Sequence, residues 1–359
     1  MSNLRAVLLT TDYPPRSGGI ARLLRELVSG TRGTVNWRVL DVGAESTRAE
    51  DRRFATRREI CASGWRATRW LRAGDDRLVV CGHPYLAAPA FMMARMANAP
   101  LGSLAYGREL MPLRPAHDVA LRALRHSDRV VAISRHTARR ARALGVAEDR
   151  VRVVSPLFRP HWTGKFPPRR RRKNTGLRVI AITRLSEGYK NIELLLRATQ
   201  VLGPAGVIER MTIVGGGPRL DALTTRARAL GVADRCEFTG HVGDEQLASL
   251  ASSAHIGVFP SRDSIAERGF EGFGLAVVEL AAAGMPILVA DAAGAVDAAV
   301  PEWSMLLDPD DLRAWVQAFV ALGADEPRRM AMAESAFAWA TTLDTRSTAQ
   351  RFVDALRSR

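Results

Sequence analysis

Cysteine is scarce in this sequence of 359 residues, and its three copies, Cys61, Cys81 and Cys236, form no C-x-x-C pair. This pattern argues against a structural zinc site or a disulfide framework, and it fits a reducing compartment. Long hydrophobic runs are also missing, since no apolar stretch approaches the ~20 residues of a membrane-spanning helix. The amino terminus lacks the layout of a signal peptide. We therefore expect a soluble, cytoplasmic protein without a metal site.

Lysine is nearly absent among the cations, because only Lys165, Lys173 and Lys190 stand among 52 basic residues. The charge is also unevenly spread. Residues 1–176 contain 34 of the 52 Lys and Arg residues but 14 of the 37 Asp and Glu residues, so the first half carries +20 and the rest −5. Such an excess would attract nucleic acid, an anionic membrane surface or an acidic acceptor. Alternatively, many of these arginines are simply solvated.

Short β-branched runs alternate with amphipathic segments along the chain, a pattern typical of parallel α/β sheets. Strands are predicted in two series, at 6–9, 37–42, 78–81, 103–106, 130–133 and 151–154, and then at 177–183, 211–214, 236–239, 256–259 and 287–290. Helices are predicted at 20–28, at 136–144 after Ser134 as the N-cap, and at 309–322, 326–342 and 347–356. The fold class is therefore α/β, with two Rossmann-like domains facing a central cleft.

The domain boundaries are predicted from composition. A stretch rich in proline, glycine and arginine, which includes the run 169–173, marks an exposed connection. We expect an N-terminal Rossmann-like acceptor domain at 1–160, a basic linker at 161–176 and a C-terminal Rossmann-like donor domain at 177–342. The tail 343–359 is expected to form a helix that packs back on the first domain.

The most informative segment runs from Glu271 to Glu279 as Glu-Gly-Phe-Gly-Leu-Ala-Val-Val-Glu. Its helical part is apolar on every face except at Glu279, and a helix that is apolar all round is normally buried. Gly272 and Gly274 free the preceding backbone, and the helix start offers unpaired N–H groups and the positive end of the dipole. This arrangement suits an anionic ligand such as a diphosphate, with two carboxylates beside it to accept hydroxyl hydrogen bonds. A solvated Glu271 and a Glu279 that only complements the dipole would leave the glycines unexplained.

This segment resembles the E-x7-E signature of retaining glycosyltransferases of the GT-B fold, particularly family 4 (glycosyl transferases group 1). The resemblance implies that Glu271 orients hydroxyls of the donor sugar and that Glu279 holds the ribose hydroxyls. It also implies that the helix start at Phe273, Gly274 and Leu275 stabilises the diphosphate.

Arg184 and Lys190 flank a loop after the first strand of the second series. A cation just before a helix start opposes the helix dipole, so local rules do not favour Lys190. In the resembled family an Arg at a strand end and a Lys five or six residues later clamp the diphosphate, the Arg as a fork and the Lys as a point charge. We predict catalytic roles for Glu271, Arg184 and Lys190.

Further donor-binding residues follow from the same resemblance. Gly18 and Gly19 open a helix after the first strand, in the place of the donor-side glycine loop of family 4 enzymes, including phosphatidylinositol mannosyltransferases. Backbone around Val242 would contact the nucleotide base. Three glycines before Pro218 are interpreted as a mainly structural turn, with Pro218 at the first position of a helix.

Tyr106 begins Tyr-Gly-Arg-Glu, where many relatives carry His-Gly-x-Glu. That His lies beside the reacting sugar, so Tyr106 is predicted as catalytic, although tyrosine is a poor general base at neutral pH. Arg108 and Glu109 are acceptor-side candidates. His83 is another strand-end candidate, for which a structural role is favoured.

The sequence thus predicts a retaining hexosyltransferase that moves a sugar from a GDP- or UDP-sugar to a glycan, lipid-linked or small-molecule acceptor. The nucleotide sugar is a co-substrate, and no cofactor or metal is expected. The expected partners are the acceptor and an anionic membrane, which the basic first half would contact peripherally. Nucleic acid is not expected as a partner. Three alternatives remain: a nucleotide-sugar epimerase or phosphorylase on the same fold, a basic nucleic-acid-binding protein, and a sugar-nucleotide sensor that has lost catalysis.

Overall fold

A computed structural model describes residues 4–16, 18–42, 57–111, 115–165, 176–264, 266 and 269–357. The strands in this part of the chain are β1 Leu4–Thr10, β2 Val35–Asp41, β3 Arg77–Cys81, β4 Leu101–Ala105, β5 Arg129–Ala132, β6 Val151–Val153, β7 Leu177–Ile182, β8 Ile208–Val214, β9 Cys236–Gly240, β10 Ile256–Phe259, β11 Ile287–Ala290 and β12 Ser304–Leu307. The α-helices are α1 Gly19–Gly30, α2 Arg57–Arg72, α3 Ala87–Ala97, α4 Pro115–Arg122, α5 Arg135–Ala143, α6 Ile192–Leu202, α7 Leu220–Ala229, α8 Asp244–Ser253, α9 Leu275–Ala282, α10 Leu312–Ala324, α11 Glu326–Thr341 and α12 Thr345–Arg357.

The chain divides into two compact units. The first consists of Met1–Phe158 and Asp344–Arg359, and it contains one parallel sheet in the order β2-β1-β3-β4-β5-β6. The inner strands are almost wholly apolar and buried, which is typical of a parallel sheet covered by helices on both faces.

Helix α12 completes the first unit although it lies at the end of the chain. Its residues Phe352, Val353 and Leu356 are buried against the sheet and α1. A Cβ atom on Gly102 of β4 would lie 2.6 Å from a Leu356 methyl carbon, so the glycine allows this close approach. Thr348 also donates from its hydroxyl to the carbonyl of Leu157 at 3.0 Å.

The second unit, Arg159–Leu343, contains the other parallel sheet, in the order β12-β11-β10-β7-β8-β9. Its core lies between this sheet and the helices α6, α7 and α10. Trp162 is 1% exposed and packs against α9, and its indole N–H donates to the Glu279 carbonyl at 3.3 Å. The basic run 169–173 lies outside the described residues.

The prediction of two Rossmann-like domains is confirmed by these two sheets. Ser134 caps α5 through a capping box with Thr137, as predicted. One local prediction was wrong: helix α7 begins at Leu220, so Pro218 precedes the helix instead of standing at its first position. Asn191 occupies the N-cap position of α6, and its side-chain amide donates to the Pro309 carbonyl at 2.8 Å. No helix in the described part of the chain is both long and apolar enough to cross a bilayer.

Candidate active site

The strand order of the second sheet reverses between β7 and β10, because β7 pairs with β8 on one side and with β10 on the other. Loops that leave the carboxyl ends of two such strands diverge, and the crevice between them is where open α/β sheets bind ligands. The loop after β7 carries Arg184 and Lys190, and the loop after β10 carries Glu271. The fold therefore brings these predicted site residues to one edge.

Lys190 and Glu271 are bonded to each other at this edge. The Nζ atom of Lys190 donates to Oε2 of Glu271 at 2.5 Å, and their side chains are 9% and 18% exposed. Burial lowers the pKa of Lys190, but the charge of Glu271, its hydrogen bond and the Tyr189 side chain outweigh burial, so that the pKa is raised. Lys190 is therefore an ammonium ion at neutral pH, with further N–H donors besides the one given to Glu271.

Tyr189 connects the two loops. Its carbonyl accepts from the Arg262 N–H at 2.8 Å, and its ring packs against Gly269, where any Cβ atom would clash with it. The Nζ atom of Lys190 lies 4.9 Å from the centre of the same ring. The segment that delivers Glu271 is thus fastened to the residue next to Lys190, which fixes the ion pair in place.

Arg184 has a different environment from Lys190. It is exposed, two residues beyond the end of β7, and its charge lowers the pKa of Lys190. The predicted clamp therefore has a buried, ion-paired cation and an exposed one within electrostatic range of each other.

The start of α9 lies three residues after Glu271. Gly274 precedes the helix with φ +90°, a left-handed conformation that favours glycine, and an added Cβ atom would lie 3.3 Å from the Phe259 ring. Neither a side-chain cap nor an acidic residue is present in the first turn. The N–H groups and the positive dipole end are thus left for an anion.

The prediction that α9 is buried on every face was wrong. Leu275, Ala276 and Glu279 are partly exposed, whereas Val277, Val278 and Leu280 are buried. Leu275 and Glu279 are four residues apart, so they lie on one helix face. The partly exposed face therefore runs from the helix start to Glu279. Phe273, just before the helix, is 1% exposed.

Val242 lies two residues beyond β9, which is the last strand on its side of the second sheet. It is half-buried. Its role beside a nucleotide base stays a prediction.

The predicted site residues of the first unit lie at the carboxyl edge of the other sheet. Tyr106 is 4% exposed, its hydroxyl donates to the Gly82 carbonyl at 2.8 Å, and burial raises its pKa well above the usual value. The hydroxyl hydrogen of Tyr106 is thus already donated within the protein. Any effect of Tyr106 on catalysis would therefore be indirect, through the ends of β3 and β4 that this hydrogen bond joins. Its predicted catalytic role stays a prediction.

Glu109 is held by the same strand ends. Its Oε1 atom accepts from the backbone N–H groups of Tyr106 and Gly107, at 2.7 and 2.5 Å. Burial raises the pKa of Glu109, and these two hydrogen bonds oppose the increase. The neighbouring Arg108 is half-buried.

Gly18 precedes α1 with φ +137°, and Gly19 is the first residue of that helix. Space is open around Gly18, since an added Cβ atom would meet nothing within 4 Å. The helix start has no side-chain cap and no acidic residue in its first turn.

The sequence did not point to Tyr189, because its contacts with Gly269 and Arg262 come from distant parts of the chain.

Both parts of the chain match known protein families. Residues 17–159 match the family model described as Glycosyltransferase Family 4, and residues 165–339 match the one described as Glycosyl transferases group 1. The chain is 27% identical to the GDP-mannose-dependent alpha-(1-6)-phosphatidylinositol monomannoside mannosyltransferase of Mycobacterium tuberculosis, over 94% of each chain. It is 29% identical to the protein of the same name from Mycolicibacterium smegmatis, over 93% of each.

Among solved structures, Anabaena HepE in complex with UDP superposes with a TM-score of 0.76 at 18% identity, over 99% of this chain and 100% of that one. Sucrose-phosphate synthase from Thermosynechococcus elongatus superposes with a TM-score of 0.71 at 16% identity, over 98% of each chain. Both likenesses bear on the fold.

The fold and the matched families define the class of this protein as a glycosyltransferase of the GT-B fold that uses nucleotide sugars, and the predicted hexosyltransferase class of enzyme is confirmed. Within that class, the chain belongs to family 4, the glycosyl transferases group 1.

Proposed function

We propose that this protein transfers a hexose, with retention of configuration, from a nucleotide-diphosphate sugar to a lipid-linked or glycan acceptor. The observation that carries the proposal is the buried Lys190–Glu271 pair beside the uncapped start of α9. It supplies a fixed cation, a carboxylate and exposed amides at one edge of one sheet. GDP-mannose and a mannosylated phosphatidylinositol are the first substrates to test, because the relatives named above use them.

The second unit is proposed to bind the donor. Lys190 and Arg184 would stabilise the diphosphate together with the amides at Phe273, Gly274 and Leu275. Glu271 would accept from hydroxyls of the donor sugar and Glu279 from those of the ribose, and backbone at Val242 would contact the base. The first unit would bind the acceptor, with Gly18 and Gly19 beside the donor phosphates and Arg108 and Glu109 on the acceptor side.

In the proposed reaction the bond from the anomeric carbon to the diphosphate oxygen breaks, and the acceptor oxygen bonds to that carbon on the same face. The acceptor proton passes to the leaving diphosphate. Negative charge grows on the leaving group, and preorganised positive charge that meets it is usually the largest contribution to catalysis. Lys190, Arg184 and the helix start supply that charge, so the proposal includes no divalent metal and no cofactor.

The excess of positive charge in residues 1–176 supports contact with an anionic membrane surface, where a lipid-linked acceptor would be found. We place the protein in the cytoplasm, with peripheral binding at the inner face of the membrane.

A thermal-shift screen of nucleotides and nucleotide sugars, followed by product analysis with labelled donor, tests the function. Ligands that bind the native state raise its apparent stability. We expect stabilisation by one nucleotide-diphosphate sugar and transfer of label to an acceptor. Conversion of the donor without an acceptor would favour an epimerase, and salt-dependent binding to random DNA without donor binding would contradict the proposal.

A further inference from the structure

Large apolar side chains are exposed on two neighbouring helices of the first unit. Trp65 on α2 and Met92 and Met96 on α3 are 54%, 59% and 53% exposed. They are three of the four exposed large hydrophobic side chains in the described part of this unit, and the fourth is Val153. Single exposed apolar residues are ordinary on a protein surface, whereas a contiguous patch of them marks an interaction site.

Trp65 faces α3. The guanidinium carbons of Arg5 on β1 and Arg38 on β2 lie 5.3 and 4.5 Å from the centre of the Trp70 ring, so Trp70 leaves α2 on the side of these two strands. Trp65 precedes Trp70 by five residues, which is about 140° around an α-helix. Its side chain therefore leaves α2 on the other side, where α3 packs against the helix.

Met92 and Met96 face α2 for the same geometric reason. The Phe91 ring of α3 contacts the ring of His126, which lies on the short helical turn before β5, with the ring centres 5.4 Å apart. Met96 follows Phe91 by five residues, again about 140° around the helix, so it leaves α3 on the side away from β5. Met92 shares that face because it lies four residues before Met96.

The three side chains therefore line one groove between α2 and α3, which we call the α2–α3 groove. The helices are in contact beside it, since a Cβ atom added to Gly64 of α2 would lie 3.8 Å from the methyl carbon of Met93 on α3. The guanidinium carbon of Arg69 lies 4.9 Å from the centre of the Trp65 ring. A cation thus stands directly beside the apolar surface.

The surroundings of the α2–α3 groove are positively charged. The two helices contain six arginines and one glutamate. Four of the arginines are exposed: Arg66, Arg69, Arg72 and Arg95. None of these four forms an ion pair with another described residue. A second copy of this chain at the groove would bring like charges together, whereas an anionic bilayer offers an apolar interior and negative headgroups at once.

We propose that the α2–α3 groove docks the protein on an anionic lipid bilayer. Trp65, Met92 and Met96 enter the boundary between headgroups and acyl chains. The surrounding arginines reach the lipid phosphates with their charged ends while their aliphatic stems cover apolar surface. The inference rests on the membrane contact in the proposed function, and it names the surface that makes this contact.

The test is co-sedimentation of the full chain with vesicles of phosphatidylglycerol and with vesicles of phosphatidylcholine. A triple variant with Trp65→Gln, Met92→Gln and Met96→Gln removes the apolar groups and keeps a good helix former at each position. The matched control is Val201→Gln with Val320→Gln, because both valines are exposed residues on helices of the second unit, at 52% and 43%.

Two further comparisons separate the groove from general attraction by the basic half of the chain. Arg95→Gln and Arg139→Gln each remove one exposed helical arginine of the first unit, but Arg139 lies on α5. Trp65→Phe keeps an aromatic ring in the groove. It is compared with wild type on anionic vesicles that contain lipids with brominated acyl chains, since bromine quenches the fluorescence of a tryptophan that reaches it.

We expect the wild-type protein to bind phosphatidylglycerol vesicles and not phosphatidylcholine vesicles. The triple variant should bind at least about tenfold more weakly. Arg95→Gln should weaken binding roughly fivefold, and Arg139→Gln less than about twofold. Brominated lipid should quench wild type more strongly than Trp65→Phe. The valine control should bind vesicles as wild type does, and the melting temperature and GDP binding should be unchanged in every variant.

No binding of wild type to anionic vesicles, or equal binding by the triple variant, would overturn the assignment. A dimer in solution that the triple variant abolishes would overturn it as well, because the groove would then be an interface between two copies. GDP binding is measured separately by calorimetric titration. Vesicle binding through the groove without binding of any nucleotide would contradict the proposed function and leave this surface standing.

Discussion

Lys190 and Glu271 lie 81 residues apart in the sequence, yet their side chains form a hydrogen-bonded ion pair of 2.5 Å. Each follows one of the two strands at which the second sheet reverses its order. The pair therefore has two effects that can be measured separately: it stabilises the junction of two loops, and it presents an ammonium ion to the crevice.

Lys190→Ala should lower both stability and turnover. Removing the lysine leaves a partly buried carboxylate unpaired, which should lower the free energy of unfolding by up to about 3 kcal/mol. Loss of the cation should reduce turnover by roughly 100- to 1000-fold. The double variant Lys190→Met with Glu271→Gln should recover most of the stability but none of the activity.

Urea unfolding and donor turnover measure these two effects. Arg210→Ala is the control, because its ion pair with Glu237 is 50% and 43% exposed and should contribute less than about 1 kcal/mol. Normal turnover in Lys190→Ala would exclude the proposed role of this lysine.

Glu109→Gln should change how stability depends on pH. Both N–H groups that Glu109 binds are donated to one oxygen, which glutamine also offers. Because burial raises the folded-state pKa of Glu109 above 4.5, its contribution to stability is fully present below pH 4.5 and is lost as the pH rises through the folded-state pKa. Glutamine does not titrate, so the stability of the variant does not fall in this way as the pH rises.

Urea titrations from pH 4 upward, roughly in one-unit steps, measure the difference between Glu109→Gln and wild type. This difference in the free energy of unfolding should be near zero in acid. It should increase with pH as the variant becomes the more stable protein, and then level off. The exposed Glu148→Gln should differ from wild type by less than about 1 kcal/mol throughout. A difference that shrinks with rising pH would contradict the burial of Glu109.

Gly274→Ala should weaken nucleotide-diphosphate binding more than its cost in stability explains. Alanine at φ +90° is strained by about 1 kcal/mol, and its Cβ atom would press on the Phe259 ring at the helix start. Gly231→Ala is the matched control, since Gly231 has φ +68° and nothing within 4 Å of an added Cβ atom. Calorimetric titration with GDP should show weaker binding in Gly274→Ala alone, and equal affinity in both variants would count against the anion site at α9.

Glu279→Gln should reduce GDP affinity by about tenfold, because hydrogen bonds from ribose hydroxyls to a charged carboxylate are lost. Pyrophosphate has no ribose, so its affinity should not change. The exposed Glu302→Gln in the same unit should affect neither ligand. If both ligands weakened equally in Glu279→Gln, the ribose assignment would be wrong.

Most of the fold follows from the sequence because its strands are strongly patterned. Strands β10 and β11 were predicted at their observed limits, since short apolar runs bounded by turn residues leave few alternatives. Strand β12, Ser-Met-Leu-Leu, was missed because it lacks β-branched residues and lies at the edge of its sheet.

The candidate site was predictable in composition but not in its contacts. Glu271, Arg184 and Lys190 were singled out by the motifs, yet nothing local indicates that Lys190 bonds Glu271 or that Tyr189 joins their loops. Glu279 was expected in a buried helix, but periodicity cannot reveal that one face of α9 stays open at the sheet edge.

The most direct test of the central claim is a calorimetric comparison of GDP with GMP on the wild-type protein and on Lys190→Met. If the second unit binds the diphosphate through Lys190, wild type should bind GDP at least about tenfold more tightly than GMP, and this preference should disappear in Lys190→Met. A wild-type protein that binds GDP and GMP equally, or a variant that keeps the full preference, would contradict the account.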